Sequence, residues 1–300
     1  MITLQYQDFR PVERTDQTVI AGFLARAGRL SCEMNFCNIF HWGPVYDYRW
    51  AVNDDLLLIS LDRSTLLFPC GRNIRPDELA AVSDLFRAAG HDGNYSDVPD
   101  DYVQAHREEL EKYFELDTCE DDYDYIYAVD KLVKLSGAKL RKKRNLISQF
   151  EREYTTWHVA ELTPETAVPC IPFIEYLYRD TGMDDMQQDD FAAIKRAVQY
   201  FGQTGIRGLG LYVNDRLAAF SMFSRQNPEA YTVHFEKNDR DIKGSAQVIN
   251  QQTAKLLQNS CRYLNREQDL GVDGLRHAKQ SYDPEFMLKN HHLIRKGGSL

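Results

Sequence analysis

No stretch of this chain approaches the roughly 20 consecutive apolar residues that a membrane-spanning helix requires. The first residues, MITLQYQDFRPVERTDQ, lack the basic start and apolar centre of a secretory signal. Both absences predict a cytoplasmic protein with no transmembrane segment. Cys32, Cys37, Cys70, Cys119, Cys170 and Cys261 are scattered, with no Cys-x-x-Cys pair and no Cys/His run at zinc spacing. No metal site is expected, and the cysteines read as buried or half-buried thiols in a reducing compartment. Excess positive charge is also missing. The 36 Lys and Arg against 45 Asp and Glu leave a net charge of −9, which argues against broad, nonspecific binding to nucleic acid.

What is present suits two domains. The chain has 300 residues, of which 43% are hydrophobic, and its 17 tyrosines and 15 phenylalanines can furnish a core for each. Charge is unevenly spread: DTCEDDYDY at 117–125 is acidic and KLRKKRN at 139–145 is basic. Such a basic segment can grip a phosphate locally even on an acidic protein.

Helices and strands alternate along the chain. Residues 16–28 and 34–41 read as helices, and YRWAVNDDLLLIS (48–60) as a hairpin about an Asn-Asp turn. STLLFPC continues as a strand. RPDELAAVSDLFRAAG (75–90) has a Pro-Asp start, an i, i+3, i+4 apolar stripe and a glycine stop. Further helices are expected at 99–114 and 137–153, the latter with Leu140, Ile147, Phe150 and Tyr154 on one face. A strand at 157–162, helices at 164–180 and 187–202, and strands at 208–224 and 229–237 follow. A helix at 245–260, a strand at 261–267, a short helix and a strand at 286–294 complete the reading. His291 and His292, adjacent on that strand, would point to opposite faces and cannot chelate one metal. His41 and His234 read as packing residues, with His234 held in reserve for chemistry.

One internal match stands out. VNDDLLLIS from Val52 and VNDRLAAFS from Val213 share the pattern V-N-D-x-L-x-x-x-S in two predicted hairpins. It suggests two related lobes, 1–155 and 156–300, although Asn-Asp turns between strands are common.

The order of elements in the second half resembles an acyltransferase lobe of the GNAT (N-acetyltransferase) type. NREQDLGVDGLRHAKQSYDP (265–284), with KKRN (142–145), is similar to the DUF2156 family. That family is related to the C-terminal domain of phosphatidylglycerol lysyltransferases and, more distantly, to the Fem-type aminoacyl-tRNA-dependent transferases. The resemblance implies an α+β fold of two tandem GNAT-like lobes, each a mostly antiparallel sheet flanked by helices. The first lobe reads as degenerate, since no phosphate loop and no Asn/Tyr pair follow its strands. The missing membrane segment weakens a lipid acceptor, and the usual Gly-rich phosphate loop of acetyltransferases is absent.

Acyl transfer needs a held donor, a base and a group that assists the leaving atom. NDRDIKGSAQ (238–247) joins a strand to a helix, and the free amides of a helix start favour an anion. With the GNAT resemblance, Arg240, Lys243, Gly244, Ser245 and Ala246 are the expected contacts to the pyrophosphate of coenzyme A or an acyl-CoA, the alternative being an ordinary loop with Ser245 as a simple N-cap. The resemblance further implies Tyr282 as general acid, Asn265 on the donor's amide-bearing arm and Glu267 at the mouth of the cleft. Glu236, at a strand end, is the candidate base. Lys143, Arg144, Asn145 and Lys279 are expected to contact substrate or donor. The competing expectation for 265–282 is an internal salt-bridge network, with Asp269 and Arg276 structural. The basic helix keeps three readings: a solvated face, a grip on a coenzyme phosphate or a tRNA arm, or a partner for EDDYDY.

The function expected is a soluble acyltransferase that moves an acyl or aminoacyl group to a small-molecule or peptide amine. Its donor would be a coenzyme A thioester, with aminoacyl-tRNA, and hence a possible tRNA partner, as the alternative. The competing class is a pseudo-enzyme that binds a peptide or nucleotide between the lobes without turnover. Nothing in the sequence indicates the oligomeric state.

Overall fold

The computed structural model describes residues 3–297. The chain forms two compact units. One comprises the chain up to Tyr123 together with the segment from Leu288 onward, and the other comprises Asp124–Met287.

The first unit contains strand β1 (Arg10–Pro11), helices α1 (Gln17–Ala27) and α2 (Phe36–Trp42), and strands β2 (Arg49–Asn53), β3 (Leu56–Leu61), β4 (Thr65–Leu67) and β5 (Cys70–Gly71). Helix α3 (Pro76–Ala88), β6 (Tyr95–Pro99), α4 (Asp100–Leu110) and β7 (Phe114–Asp117) follow. The second unit holds β8 (Asp124–Ala128), α5 (Val129–Lys134), α6 (Arg141–Glu153), β9 (Trp157–Glu161), α7 (Pro164–Ala167), α8 (Cys170–Leu177) and α9 (Asp185–Gln199). It continues with β10 (Arg207–Val213), β11 (Arg216–Asn227), β12 (Ala230–Asn238), α10 (Ser245–Leu257), β13 (Tyr263–Asn265), α11 (Asp273–Gln280) and β14 (Phe286–Leu288). The last strand, β15 (Asn290–Arg295), returns to the first unit.

Each unit is built on one sheet. The first runs β1-β2-β3-β4-β6-β15-β7, with β5 beside β3, and the second runs β14-β8-β13-β12-β11-β10-β9. β4 pairs parallel with β6 in the first sheet and β12 with β13 in the second. Helices flank both sheets over separate cores. In the first, Leu79, Val82 and Phe86 of α3 are buried with Leu56, Leu58, Tyr95 and Phe114. In the second, Ile147 and Phe150 of α6 and Val248, Ile249 and Leu257 of α10 are buried with Leu211, Phe223 and Val233. The expected α6 stripe is thus the buried one, although the helix starts at Arg141 because Gly137 turns the preceding chain at φ +88.

Several boundaries differ from the sequence reading. The units divide at Tyr123/Asp124 and not near residue 155, because β8, α5 and α6 pack with the second sheet and β15 lies between β6 and β7. Helix 164–180 is two helices, since Pro169 cannot donate the next helical hydrogen bond. The strand expected at 286–294 is also two, β14 and β15, in different sheets. β6, β7, β8 and α5 lie where no element was expected. On β15, His291 bonds Asp100 and Thr118 while His292 bonds Asp122.

The repeated nine residues do form two hairpins, but out of register. Val52 faces solvent and Asn53 pairs with Leu56, whereas Val213 is buried and pairs with Arg216. The turn is Asp54-Asp55 in one copy and Asn214-Asp215 in the other. A one-residue offset turns every side chain to the other face, so the matching letters are not equivalent positions.

Two features fix the ground around β12 and β13. Gly244 begins α10 at φ +89, where an added Cβ would lie 2.7 Å from the Leu146 carbonyl oxygen and 2.9 Å from Phe150 Cβ, both on α6. Beyond β13, the buried Asp269 carboxylate accepts from Tyr125 Oη at 2.6 Å, from Arg276 Nε and Nη2 at 2.9 and 2.8 Å, and from the Gly271 amide at 3.0 Å. The Arg276 bonds, helped by Tyr125, outweigh burial and hold this carboxyl at about 2.

Gly244→Ala should cost about 2–4 kcal/mol in denaturant unfolding, from left-handed backbone strain and a clash with backbone that cannot yield. Asp269 has a lowered folded pKa, so its stabilisation is present above the unfolded value near 3.8 and is lost as pH falls through about 2. The gain is about 2 kcal/mol at neutral pH. The stability gap between wild type and Asp269→Asn should therefore be widest above about pH 4 and narrow on acidification.

Candidate functional site

β12 and β13 pair only from Ala230/Tyr263 to Thr232/Asn265, after which β12 runs on to Asn238. β13 ends there because the Asn265 carbonyl oxygen Oδ1 accepts from the Glu267 amide at 2.7 Å, an Asx turn, and Glu267 adopts φ +58. The strand expected at 261–267 is therefore three residues long.

Side chains bridge the opening that the two strands leave. His234 Nδ1 lies 3.0 Å from Glu267 Oε1, and its Nε2 lies 2.8 Å from Ser224 Oγ. Two residues further along β12, Glu236 Oε1 accepts from Arg266 Nη2 at 2.7 Å. The carboxylate of Glu267 can only accept, which makes Nδ1 the protonated nitrogen and leaves the Nε2 lone pair to the Ser224 hydroxyl. That chain can carry a proton. Sequence reasoning read His234 as packing but held it in reserve, two residues before Glu236, and passed over Ser224. For Ser224 the signal was polarity within a largely apolar stretch of strand.

Lys279 holds this turn in place. Its ammonium donates to the carbonyl oxygens of Arg266, Glu267 and Gln268, the last two at 3.1 and 2.6 Å. A lysine expected at the ligand is thus a buried clamp on three successive carbonyls, whose oxygens must point one way to share it. Asn265 is likewise enclosed, with its Nδ2 donating to Asp124 Oδ2 at 2.7 Å. Glu267 lies on His234. The Asp269–Arg276 pair is present as expected of an internal network, whereas Arg266 pairs with Glu236 and not with a neighbour on its own segment.

The start of α10 is closed. Gly244 and Ser245 are buried, Gly244 against α6, and Ser245 Oγ donates to the Asp239 carbonyl oxygen at 3.0 Å. Ala246 is half-buried, and Arg240 and Lys243 are exposed. On α6, Arg144 donates to the carbonyl oxygens of Leu135 and Gly137, and Asn145 is exposed. Neither is brought to Tyr282. Lys143 is: its Nζ stands 4.0 Å from the centre of the Tyr282 ring.

Tyr282 is buried, and the Arg266 guanidinium lies 5.2 Å from the same ring. Burial pushes its phenol well up, against the pull of Arg266 and with a push from Glu236. It stays protonated and can donate a hydrogen bond, but as a proton donor it is weaker than an ordinary tyrosine. Burial, then the charges of Arg266 and Lys142, lower the Lys143 ammonium to about 8.

The row Glu236–Arg266–Tyr282–Lys143 runs between two clefts of the second unit. One, of about 670 Å³, lies between the end of β12 and the 177–187 loop, and Glu236, Asp239, Arg240, Asp180, Asp184 and Gln187 contribute to it. The other, of about 490 Å³, is lined by Lys142, Lys143, Gln247, His277 and Ser281 among others. Glu236 Oε2 is shut off from solvent and has no hydrogen-bond partner among the described residues. A buried carboxylate oxygen with no donor is costly.

Among the described residues, no helix is long and apolar enough to cross a membrane. A solved structure of a conserved protein of unknown function from Bacteroides thetaiotaomicron is 27% identical, with TM-score 0.89 over 96% of this chain and 99% of that one. L-PGS from Bacillus licheniformis has the same fold at 16% identity, with TM-score 0.59 over 94% and 93%. A tandem GNAT protein from the clavulanic acid pathway shares it at 12%, with TM-score 0.50 over 97% and 99%. An uncharacterised protein of Mycoplasmoides gallisepticum is 23% identical over 173 residues, 57% of this chain, and the match spans only 56% of that relative's length. The fold is α+β, two sheets flanked by helices, as in tandem GNAT proteins. The family described as phosphatidylglycerol lysyltransferase, C-terminal, matches residues 24–290, and the chain, an acyltransferase-like protein, belongs to that family, also called DUF2156.

Proposed function

We propose that this protein transfers an aminoacyl group from an activated ester to an amine, with Glu236 taking the proton. The observation that carries the reading is Glu236 itself. One of its oxygens is fixed by Arg266, and the other is enclosed without a donor beside the 670 Å³ cleft. The cleft is rich in acid. Asp180, Asp184, Asp239 and Asp241 join Glu236, against Arg240, while Lys237 is paired with Asp190 and Arg179 with Asp180. Such a lining suits a cationic amine.

In the step, the amine nitrogen attacks the ester carbonyl carbon, the C–N bond forms and the C–O bond breaks. Glu236 accepts the proton that nitrogen loses, and the leaving oxygen takes one up. A carboxylate so placed contributes as a general base.

The closed start of α10 weighs on the donor. A coenzyme pyrophosphate at that tip needs accessible amides, and the Ser245 and Gln247 amides already donate to Ile242 and Gly244 carbonyl oxygens. With Gly244 backed onto α6, an aminoacyl ester fits better than a coenzyme A thioester. The lysyl transfer named for the family points the same way.

The test is discharge of aminoacyl-tRNA and of acetyl-coenzyme A to mixed amines, by wild type and by Glu236→Gln, each checked for folding by thermal melting. Aminoacyl transfer should be seen, and a folded Glu236→Gln should lose about 10²-fold in kcat/KM. Discharge of acetyl-coenzyme A alone would overturn the donor. No discharge of either, or a folded variant as fast as wild type, would overturn the function of Glu236 and return the protein to the binding-module class.

A further inference from the structure

The cleft between α6, the first turn of α10 and α11 has no part in the step above, and it holds an ammonium that the fold leaves unmatched. Lys143 is half-buried against the Tyr282 ring. Every charged group near it is accounted for. Arg266, across the same ring, has Glu236. Asp283, the carboxylate lining the cleft, is held by Lys131 at 2.6 Å and Lys139 at 2.7 Å. Lys142 sits beside Lys143 on α6, His277 faces the cleft from α11, and Gln247 of α10 is neutral. Among the described residues, no carboxylate lies within ion-pair distance of Lys143, and the charges that act on it, Arg266 and Lys142, are both positive.

A half-buried amine surrounded by cations favours losing its proton. A neutral amine open to a cleft is a nucleophile. We propose that Lys143 is a modification site: its ε-amine takes an acyl group from a small activated ester or thioester that enters this cleft. The nitrogen lone pair attacks the carbonyl carbon, the N–C bond forms, and the C–S or C–O bond breaks. The thiol or alcohol leaves with the proton the nitrogen sheds, and a stable amide remains. The product removes one positive charge beside Arg266 and fills part of the cleft, so it ends repulsion that the unmodified protein tolerates. The inference does not depend on the transfer reading, because the probe reacts without any turnover.

The size of the effect follows from two opposing trends. An amine lowered from the ordinary 10.5 to about 8 is half neutral at that pH, where an ordinary lysine is neutral in well under about 1% of molecules. Weaker basicity gives back part of this, with a Brønsted slope like the roughly 0.4–0.5 known for thiols. The net advantage over an exposed lysine is about tenfold near pH 8.

Competitive trace labelling of the full chain with acetic anhydride, and separately with phenyl thioacetate, measures this directly. Peptide mass spectrometry between about pH 6 and pH 10 would follow each lysine against the unfolded chain. Lys143 should label about tenfold faster than Lys142 near pH 8, with half-maximal reactivity near that pH. Lys143→Arg, which keeps the charge over Tyr282, should remove the fastest lysine phase from the peptide map. Gln247→Glu, which brings a carboxylate into the cleft, should slow Lys143 several-fold and leave Lys142 unchanged. Labelling of Lys143 no faster than Lys142, a midpoint near the ordinary lysine value, or a fast phase that survives Lys143→Arg would each overturn the proposal.

Discussion

Where β12 and β13 cease to pair beyond Thr232 and Asn265, backbone hydrogen bonds no longer join these two strands, and charged side chains take over. His234 meets Glu267, Glu236 meets Arg266, and Lys279 gathers the three carbonyls of the turn between them. The geometry is interdependent. Glu267 reaches His234 only from a left-handed backbone conformation, and Asn265 and Lys279 keep it there. Strain of this kind persists only where its surroundings over-determine it. Asp269 anchors the same segment to Tyr125 of β8 and Arg276 of α11.

The bridges also distribute charge. Buried ion pairs owe their net effect to how completely each partner is satisfied. Glu236 is satisfied at one oxygen only, and Lys143 at none, save for the face of a tyrosine. These two incomplete groups end the row that links the two clefts, and the complete pair of Arg266 and Glu236 Oε1 lies inside it. The parts of the row that the fold leaves incomplete are therefore its ends.

Closure of the α10 tip follows from packing on its far side. Gly244 lets α6 approach so closely that no side chain fits between them. The same contact places Lys143, one turn before Leu146, over Tyr282. A helix start that in isolation would attract an anion is here part of the core, although Arg240 and Lys243 beside it are exposed.

Much of the architecture was legible in the chain. The α3 stripe, the α6 face of Leu140, Ile147 and Phe150, the two hairpins and α10 all follow from local periodicity and turn chemistry, which depend on residues within a few positions of one another. Asp269 and Arg276, seven residues apart on one short segment, pair within it as an internal network would have them. β8 escaped notice because its apolar run is short and begins in acid. Asn265, distant in sequence, donates to the buried Asp124 carboxylate there. The shared VND letters misled because register is decided by the whole ladder and not by the turn. Sequence alone thus determined which elements form, which of their faces are apolar and which segment carries the family's polar groups. Which of those groups are consumed in holding the fold, as Lys279 and Asn265 are, and which remain incomplete, as Glu236 and Lys143 are, was decided only by tertiary structure, because hydrogen-bond satisfaction depends on partners that sequence separation does not reveal.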